Sequence, residues 1–240
     1  MKVVVIVPAY NAARYVTGVV ERIVAAGAPG LARIVVVNDG STDDTGARID
    51  ALASLHGLVD PIHRVRNGGY GAAMKDGLER ALALRADFAA CVHADGQYSP
   101  EALPALLADM IDRRVDILQG SRIASGTALS GGMPVYKYVA NAILNRIENR
   151  TLGLSMTDYH SGYLLYGRRA LDALPFRSLS DSFDFDLEVI ALARAHGLSI
   201  AEAPVATHYG GEISHLNPVT YGFRVLRVLW NYRRGRYAPM

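Results

Sequence analysis

The chain has 240 residues, half of them hydrophobic and a fifth charged, with a formal net charge of +2. That is the make-up of a folded protein with one sizeable core, and its charge does not suit a nucleic-acid binder. One cysteine, Cys91 in an apolar run, excludes a disulfide framework and a cysteine metal site within the chain, and reads as a buried, inert thiol.

Residues 3–7 are a β-branched run and predict a buried strand. The spacing of Val16, Val19, Val20, Ile23 and Val24 predicts a helix over 13–26, and a second strand follows at 32–37. Ser41 or Thr42 can cap the next helix, with Asp43 and Asp44 in its first turn. A short strand is expected at 62–65, where Pro61 favours an edge or a strand start. Helices at 71–84 and 100–111 alternate with strands at 87–92 and 115–119. This alternation predicts an α/β fold with a doubly wound, mostly parallel sheet over residues 1–122, a Rossmann-like three-layer arrangement.

The pattern then changes. Residues 125–132 are Gly- and Ser-rich and read as a flexible loop. A helix over 136–150 is amphipathic, with Val139, Ala140, Ile143, Leu144 and Ile147 on one face and Lys137, Asn141, Asn145 and Glu148 on the other. A strand at 164–166, a helix at 185–195 and an extended return at 198–206 complete the same domain. Residues 218–240 read as a basic amphipathic C-terminal helix: Val219, Phe223, Leu226 and Trp230 share one face, and Arg224, Arg227 and Arg234 another. Two readings of it stay open, an anionic membrane interface or packing on the sheet. No stretch reaches the roughly 18–20 apolar residues of a spanning helix, and the apolar start is too short for a signal segment. A cytoplasmic protein is expected, with any membrane contact peripheral.

Ligands of open α/β sheets bind at the carboxyl ends of the strands. Asp39 and Asp95 each follow an apolar strand there, and each precedes a glycine. Two such acids suggest a nucleotide at one and a divalent cation at the other. Redox dinucleotide and P-loop chemistry are disfavoured: Val7-Pro8-Ala9-Tyr10-Asn11 lacks phosphate-binding glycines, Gly69-Tyr70-Gly71 runs on to Met74, and there is no Walker motif. Asp39 can accept from a ribose or base, although Asn-Asp-Gly-Ser is also strong turn chemistry. Residues 67–75 run from a Gly-rich loop into a helix whose N-terminus favours an anion, with Lys75 one turn inside; the alternative is a tight turn with close helix-on-sheet packing. In His93-Ala94-Asp95-Gly96-Gln97, Asp95 offers a carboxylate and Gln97 an amide oxygen to Mg2+ or Mn2+, hard cations that take substrate phosphates as further ligands. Such a cation neutralises a diphosphate leaving group. His93 can contact nucleotide or metal, or serve a local hydrogen bond.

These motifs, in this order, resemble the family-two glycosyltransferases with the GT-A fold, and among them the polyprenyl-phosphate (dolichyl-phosphate) mannose and glucose synthases. The match runs through residues 7–11, 38–43, 67–75 and 94–97, then Gly120-Ser121-Arg122, Asp158 with Ser161-Gly162-Tyr163, and Phe185-Asp186-Leu187-Glu188. The resemblance implies an inverting transferase using a nucleotide sugar and Mg2+ or Mn2+. By it, residues 1–122 bind the donor, with Pro8, Tyr10 and Asp39 lining the nucleotide site and Arg122 facing phosphate; Asn11, Gly69, Lys75, His93, Ala94 and Asp95 are further nucleotide candidates. Asp95 and Gln97 face the metal, and 123–217 supply the acceptor side. Two departures stand out: Ala12 where the family has an acid after Tyr-Asn, and His93 where it has the first acid of Asp-x-Asp. Arg122 and Lys137 suit an anionic acceptor such as a polyprenyl phosphate. Asp184, Asp186 and Glu188 include a candidate general base for a hydroxyl acceptor in polysaccharide or glycolipid synthesis. His208, Glu212 and His215 lie in a Gly-rich stretch that reads as a mobile lid. A non-catalytic nucleotide-binding module is a further alternative. Donor, acceptor and membrane surface are the expected partners, and nucleic acid is not.

Overall fold

A computed structural model describes residues 1–126, 128–129, 132–206 and 218–239, with the side chains of Lys137, Pro218 and Val219 left out. The elements in chain order are β1 (Val3–Ala9), α1 (Val16–Ala26), β2 (Leu31–Asn38), α2 (Thr45–Leu55), β3 (Val59–His63), α3 (Tyr70–Ala83), β4 (Phe88–Cys91), α4 (Leu103–Asp112), β5 (Ile117–Ser121), α5 (Val135–Leu152), β6 (Leu164–Gly167), α6 (Arg168–Ala173), α7 (Phe185–Ala195), β7 (Ile200–Pro204) and α8 (Pro218–Arg233). The strands form one seven-stranded sheet in the order β3-β2-β1-β4-β6-β5-β7. Only β6 runs antiparallel to its neighbours β4 and β5; the other pairings are parallel. The reversal of order at β1, with β2 on one side and β4 on the other, opens a crevice at the carboxyl ends of these strands.

The period-2 alternation of a strand sorts the core into two layers. Val3, Val5, Val7, Ile34 and Val36 pack against Val16, Val19, Ile23, Ile49, Leu103 and Leu107 of α1, α2 and α4. Val4, Ile6, Val35 and Val37 face the opposite layer, built from Met74 and Leu78 of α3, Val189 and Ile190 of α7, and Val225 and Val228 of α8. The continuous β-branched runs follow from burial on both faces. Pro61 sits in β3, which pairs only with β2, so its missing N–H falls on an edge strand. Cys91 is free and buried, and burial pushes its thiol well up.

Two local expectations are corrected. Ser41 and Thr42 do not cap α2, which begins at Thr45. Ser41 Oγ instead accepts from the Asn11 N–H at 3.0 Å, and the Thr42 N–H donates to Asn11 Oδ1 at 2.9 Å, so both stitch the β2 end to the β1 end. The second correction is α5. Its outer surface carries Val139, Ile143 and Ile147, while Asn145 and Glu148 point inward and are buried. The side that faces the protein is mixed, with Asn145 and Glu148 buried there beside Leu152, and with Leu144 packed against the core.

Candidate functional site

The crevice is floored by the ends of β2, β1 and β4. Tyr10 stands at the β1 end with its ring exposed, and Pro8 is half-buried beside it. Asn11 takes a positive φ of 49°, which lets its side chain bridge to Thr42. Asp39, at the β2 end, is almost fully buried. Its Oδ1 accepts the Gly68 N–H and its Oδ2 the Gly69 N–H, both at 2.9 Å, and Arg64 Nε lies 2.9 Å from Oδ1. Asp39 thus holds the Gly-rich loop against the sheet and presents it to the crevice. Gly69 is required there twice over: φ is 97°, and a Cβ would run into the Asp181 carbonyl oxygen. Lys75 Nζ bonds Asp181 Oδ1 at 2.8 Å and the Leu179 carbonyl, which ties α3 to the segment before α7.

At the β4 end, Ala94 is buried in the core while Asp95 is partly exposed. Asp95 Oδ1 accepts the Gln97 N–H at 2.9 Å, an Asx turn that fixes the loop. Gln97 is half-buried in the same turn. His93 packs between Tyr70 and Tyr98, with ring centroids 5.2 and 5.6 Å away. Burial pushes its imidazole pKa down, only partly opposed by Asp95 and assisted by Arg122, so the ring is neutral near pH 7. Gly162 lies so close that a Cβ there would collide with the ring. Tyr70 stacks on Phe183 at 5.9 Å and 11°, extending the aromatic wall from His93.

Arg122, at the β5 end, makes a bidentate pair with buried Asp158: Nε to Oδ2 at 2.7 Å and Nη2 to Oδ1 at 3.0 Å. Burial alone would raise the Asp158 pKa, but the charge and hydrogen bonds of Arg122 outweigh it and hold the carboxyl below its usual range. His160 continues the chain: its N–H donates to Asp158, its Nδ1 meets the Tyr221 hydroxyl at 2.9 Å, and its Nε2 lies 3.4 Å from Glu148. Lys137 lies on α5, with its side chain outside what the structure describes.

The acids around α7 have partners of their own. Asp184 is fully buried and receives Arg224 at 3.2 Å and Arg227 at 2.9 Å from α8. Glu188 accepts the Ser180 N–H at 2.5 Å and the Tyr237 hydroxyl at 2.7 Å. Asp186 accepts the Tyr70 hydroxyl at 2.8 Å, and burial pushes its pKa up to about 7 against that bond. Phe223 and Trp230 of α8 are exposed, whereas Val225, Val228 and Leu229 are buried, so the helix packs on the protein and still presents apolar side chains outward. His208, Glu212 and His215 lie outside the described residues.

Asp39 and Asp95 therefore stand past the carboxyl ends of β2 and β4, on either side of the β1 end that carries Tyr10. Sequence reasoning passed over Arg64, Tyr70 and Phe183. Arg64 and Tyr70 lie just before and within the Gly-rich loop, and Phe183 directly precedes the acids at 184–188. Among the described residues no group of three or more His, Cys, Asp or Glu side chains is arranged to hold a metal. The donor set at Asp95 fits a hard cation in another way, through one accessible carboxylate completed by phosphate oxygens and water.

Residues 4–174 match the protein-family model described as glycosyl transferase family 2. The polyprenol monophosphomannose synthase of Mycolicibacterium smegmatis is 31% identical over 85% of this chain and 76% of that protein. The UDP-N-acetylglucosamine–dolichyl-phosphate N-acetylglucosaminyltransferase of Methanococcus voltae is 27% identical over 96% of each. Among solved structures, the glucosyl-3-phosphoglycerate synthase of Mycobacterium tuberculosis, crystallised with Mn2+, UDP and glucosyl-3-phosphoglycerate, superposes with a TM-score of 0.67 at 19% identity, over all of this chain and 81% of that one. The α/β fold is the GT-A fold.

Proposed function

The chain belongs to glycosyl transferase family 2, and from that premise we propose an inverting, metal-assisted transfer of a sugar from a nucleotide sugar to a polyprenyl phosphate. The observation that carries the proposal is Asp95, a partly exposed carboxylate at the β4 end of a crevice whose other walls are Tyr10 and the loop held by Asp39. The names of the two relatives above, both of which use a polyprenyl-type phosphate, support the acceptor class.

In this reading the exposed Tyr10 ring stacks on the base, and the loop at Gly68 and Gly69 lies along the nucleotide. Asp95 and Gln97 would hold Mg2+ or Mn2+, which when bound would supply charge neutralisation for the departing nucleoside diphosphate. Neutral His93 keeps the aromatic wall beside Asp95 without adding a competing positive charge. A phosphate oxygen of the acceptor attacks the anomeric carbon as the bond to the diphosphate breaks, and the configuration inverts. Arg122, with Lys137, supplies positive charge on the acceptor side, and Asp158 fixes the Arg122 fork in place. An ionised phosphate acceptor needs no general base. The basic α8 lies at the cytoplasmic membrane face, where that acceptor is found.

One observation favours a second reading, transfer to a hydroxyl. Asp186, with a pKa of about 7, is matched to general-base work near neutral pH. Thermal shifts with UDP, GDP, dTDP and CDP, each with and without Mn2+, test the donor site, because a ligand of the native state alone raises its stability. A rise for one base that depends on Mn2+ is expected; no rise for any of the four would sink the donor assignment. Diphosphate release in the presence of a polyprenyl phosphate, but not of the matching polyprenol, separates the two acceptors.

A further inference from the structure

Glu148 is a buried carboxylate that the docking of its helix does not explain. Its side chain is fully enclosed on the inner face of α5, and among the described residues neither oxygen accepts a hydrogen bond. Keeping such a group out of water is costly. Its ion-pair partner is His160, whose Nε2 lies 3.4 Å from Oε2. The seating of α5 does not depend on this contact, because Asn145 and Asn149 on the same face already tie the helix to the chain beneath. The Asn145 amide donates to the Thr157 carbonyl, and Asn149 donates to the Met156 carbonyl at 2.7 Å and accepts the Met156 N–H at 2.8 Å. Glu148 calls for another explanation, and so does His160 Nε2, which is likewise buried without a hydrogen bond.

What His160 touches supplies it. Its backbone N–H donates to Asp158 Oδ1 at 3.0 Å, the oxygen that also takes Arg122 Nη2, and its Nδ1 meets the Tyr221 hydroxyl at 2.9 Å. The Tyr221 ring packs edge-on against the same imidazole, with centroids 5.4 Å apart. From the β5 end to the inner face of α5 the groups alternate: guanidinium, carboxylate, imidazole, carboxylate. The next member sets the position of the one before it. Arg122 is set by the fork to Asp158, Asp158 by the His160 N–H, and His160 by Glu148 at one ring nitrogen and Tyr221 at the other. We propose that Glu148 and His160 are positioning residues for an anionic acceptor: acting through Asp158, they set the plane and reach of the Arg122 guanidinium, and with it the affinity for a phosphate group. Arginine reads a phosphate through a fork of fixed geometry, so a tilt of that plane weakens the contact. This consequence rests on the phosphate-acceptor reading; the mechanical link from Glu148 to Arg122 does not.

Kinetics of Glu148→Leu with farnesyl phosphate as acceptor and UDP-glucose or GDP-mannose as donor test the proposal. The variant replaces a buried group that makes no hydrogen bond by an apolar one, so its melting temperature should hold or rise. KM for farnesyl phosphate should rise about tenfold, with kcat and the donor KM within about twofold of native. Glu148→Gln, which keeps an acceptor for the ring, should restore most of the loss. Tyr221→Phe, which deletes one hydroxyl and keeps the ring, should show a smaller rise of the same kind, and carries the test if Glu148→Leu does not fold. A second readout needs no substrate. The Arg122 Nε–H signal in heteronuclear NMR, assigned by its loss in Arg122→Lys, should shift and exchange faster in Glu148→Leu and return in Glu148→Gln. An unchanged signal with an unchanged acceptor KM in Glu148→Leu would overturn the proposal. So would a rise in both KM values that follows a lowered melting temperature, the mark of a merely structural residue. A native chain that transfers nothing to farnesyl phosphate, while its variants show the NMR response, keeps the link to Arg122 and loses the phosphate-acceptor reading.

Discussion

Two regions of this molecule are rich in acids, and they use them in opposite ways. At the strand ends, Asp95 sits in a short turn of its own making and remains partly open to solvent. Beneath the C-terminal helices, Asp184 and Glu188 are buried and engaged, one by two arginines of α8 and the other by Ser180 and Tyr237. Asp39 belongs with the second kind although it lies in the first region, because Gly68, Gly69 and Arg64 surround it. A carboxylate fastens structure where partners from distant segments converge on it, and stays open to solvent where, among the described residues, its hydrogen bond is to its own loop.

The largest expected effect separates the two kinds directly. Asp95→Ala should reduce turnover by about 10²–10³-fold, the scale of losing charge stabilisation in the transition state, with an unchanged melting curve. Near-normal transfer by that variant would erase the contrast. Asp184→Ala should do the reverse. It leaves Arg224 and Arg227 facing an empty buried site and should cost about 2–4 kcal/mol in denaturant unfolding, discounted because both arginines are partly exposed. Amide exchange in α8 should quicken first.

Asp186 sharpens the comparison through pH. Its folded pKa, about 7, lies above that of an unfolded aspartate, so the native state holds the proton longer. Stability from this group is full below the unfolded pKa, about 4. It falls as pH rises and is lost above about 7. Asp186→Asn keeps an acceptor for the Tyr70 hydroxyl and should flatten that fall, making the variant more stable than the native chain at pH 8. Equal pH dependence in the two proteins would show that Asp186 ionises freely. The smallest effect is expected from Gly162→Ala, where the methyl group presses on His93; overpacking of this kind costs about 1–3 kcal/mol. A variant as stable as the native chain would mean the wall around His93 yields.

Much of this was legible in the residues. The β-branched runs gave the strands because burial on both faces demands them, and α7 falls at 185–195 as its spacing predicts. Asp39 and Asp95 could be placed at strand ends because each follows an apolar run, β-branched before Asp39 and small or aromatic before Asp95. What the residues could not state is the partner of each acid. The Arg64–Asp39 and Arg227–Asp184 pairs join positions 25 and 43 residues apart, and no local pattern encodes them. The α5 orientation was hidden for a related reason. Periodicity reports that a helix has two faces, and partners distant from it in local pattern, the Met156 and Thr157 backbone and His160, decide which one turns inward. α6 escaped notice because a helix of 6 residues has too few turns to show a period.

The single antiparallel strand has a consequence for how the chain comes to be folded. β6 slots between β4 and β5, yet it is made after both, from residues 164–167. As the polypeptide leaves the ribosome, β4 must hold an unpaired edge, Phe88 to Cys91, while more than 70 further residues are added. The two outermost strands on that side, β5 and β7, have no route into the sheet until β6 arrives. No cut between the first 122 residues and the rest leaves a closed sheet, and a fragment ending there would offer other chains a bare apolar edge. The sheet that carries Asp95 is thus completed late, by the strand that runs against its neighbours.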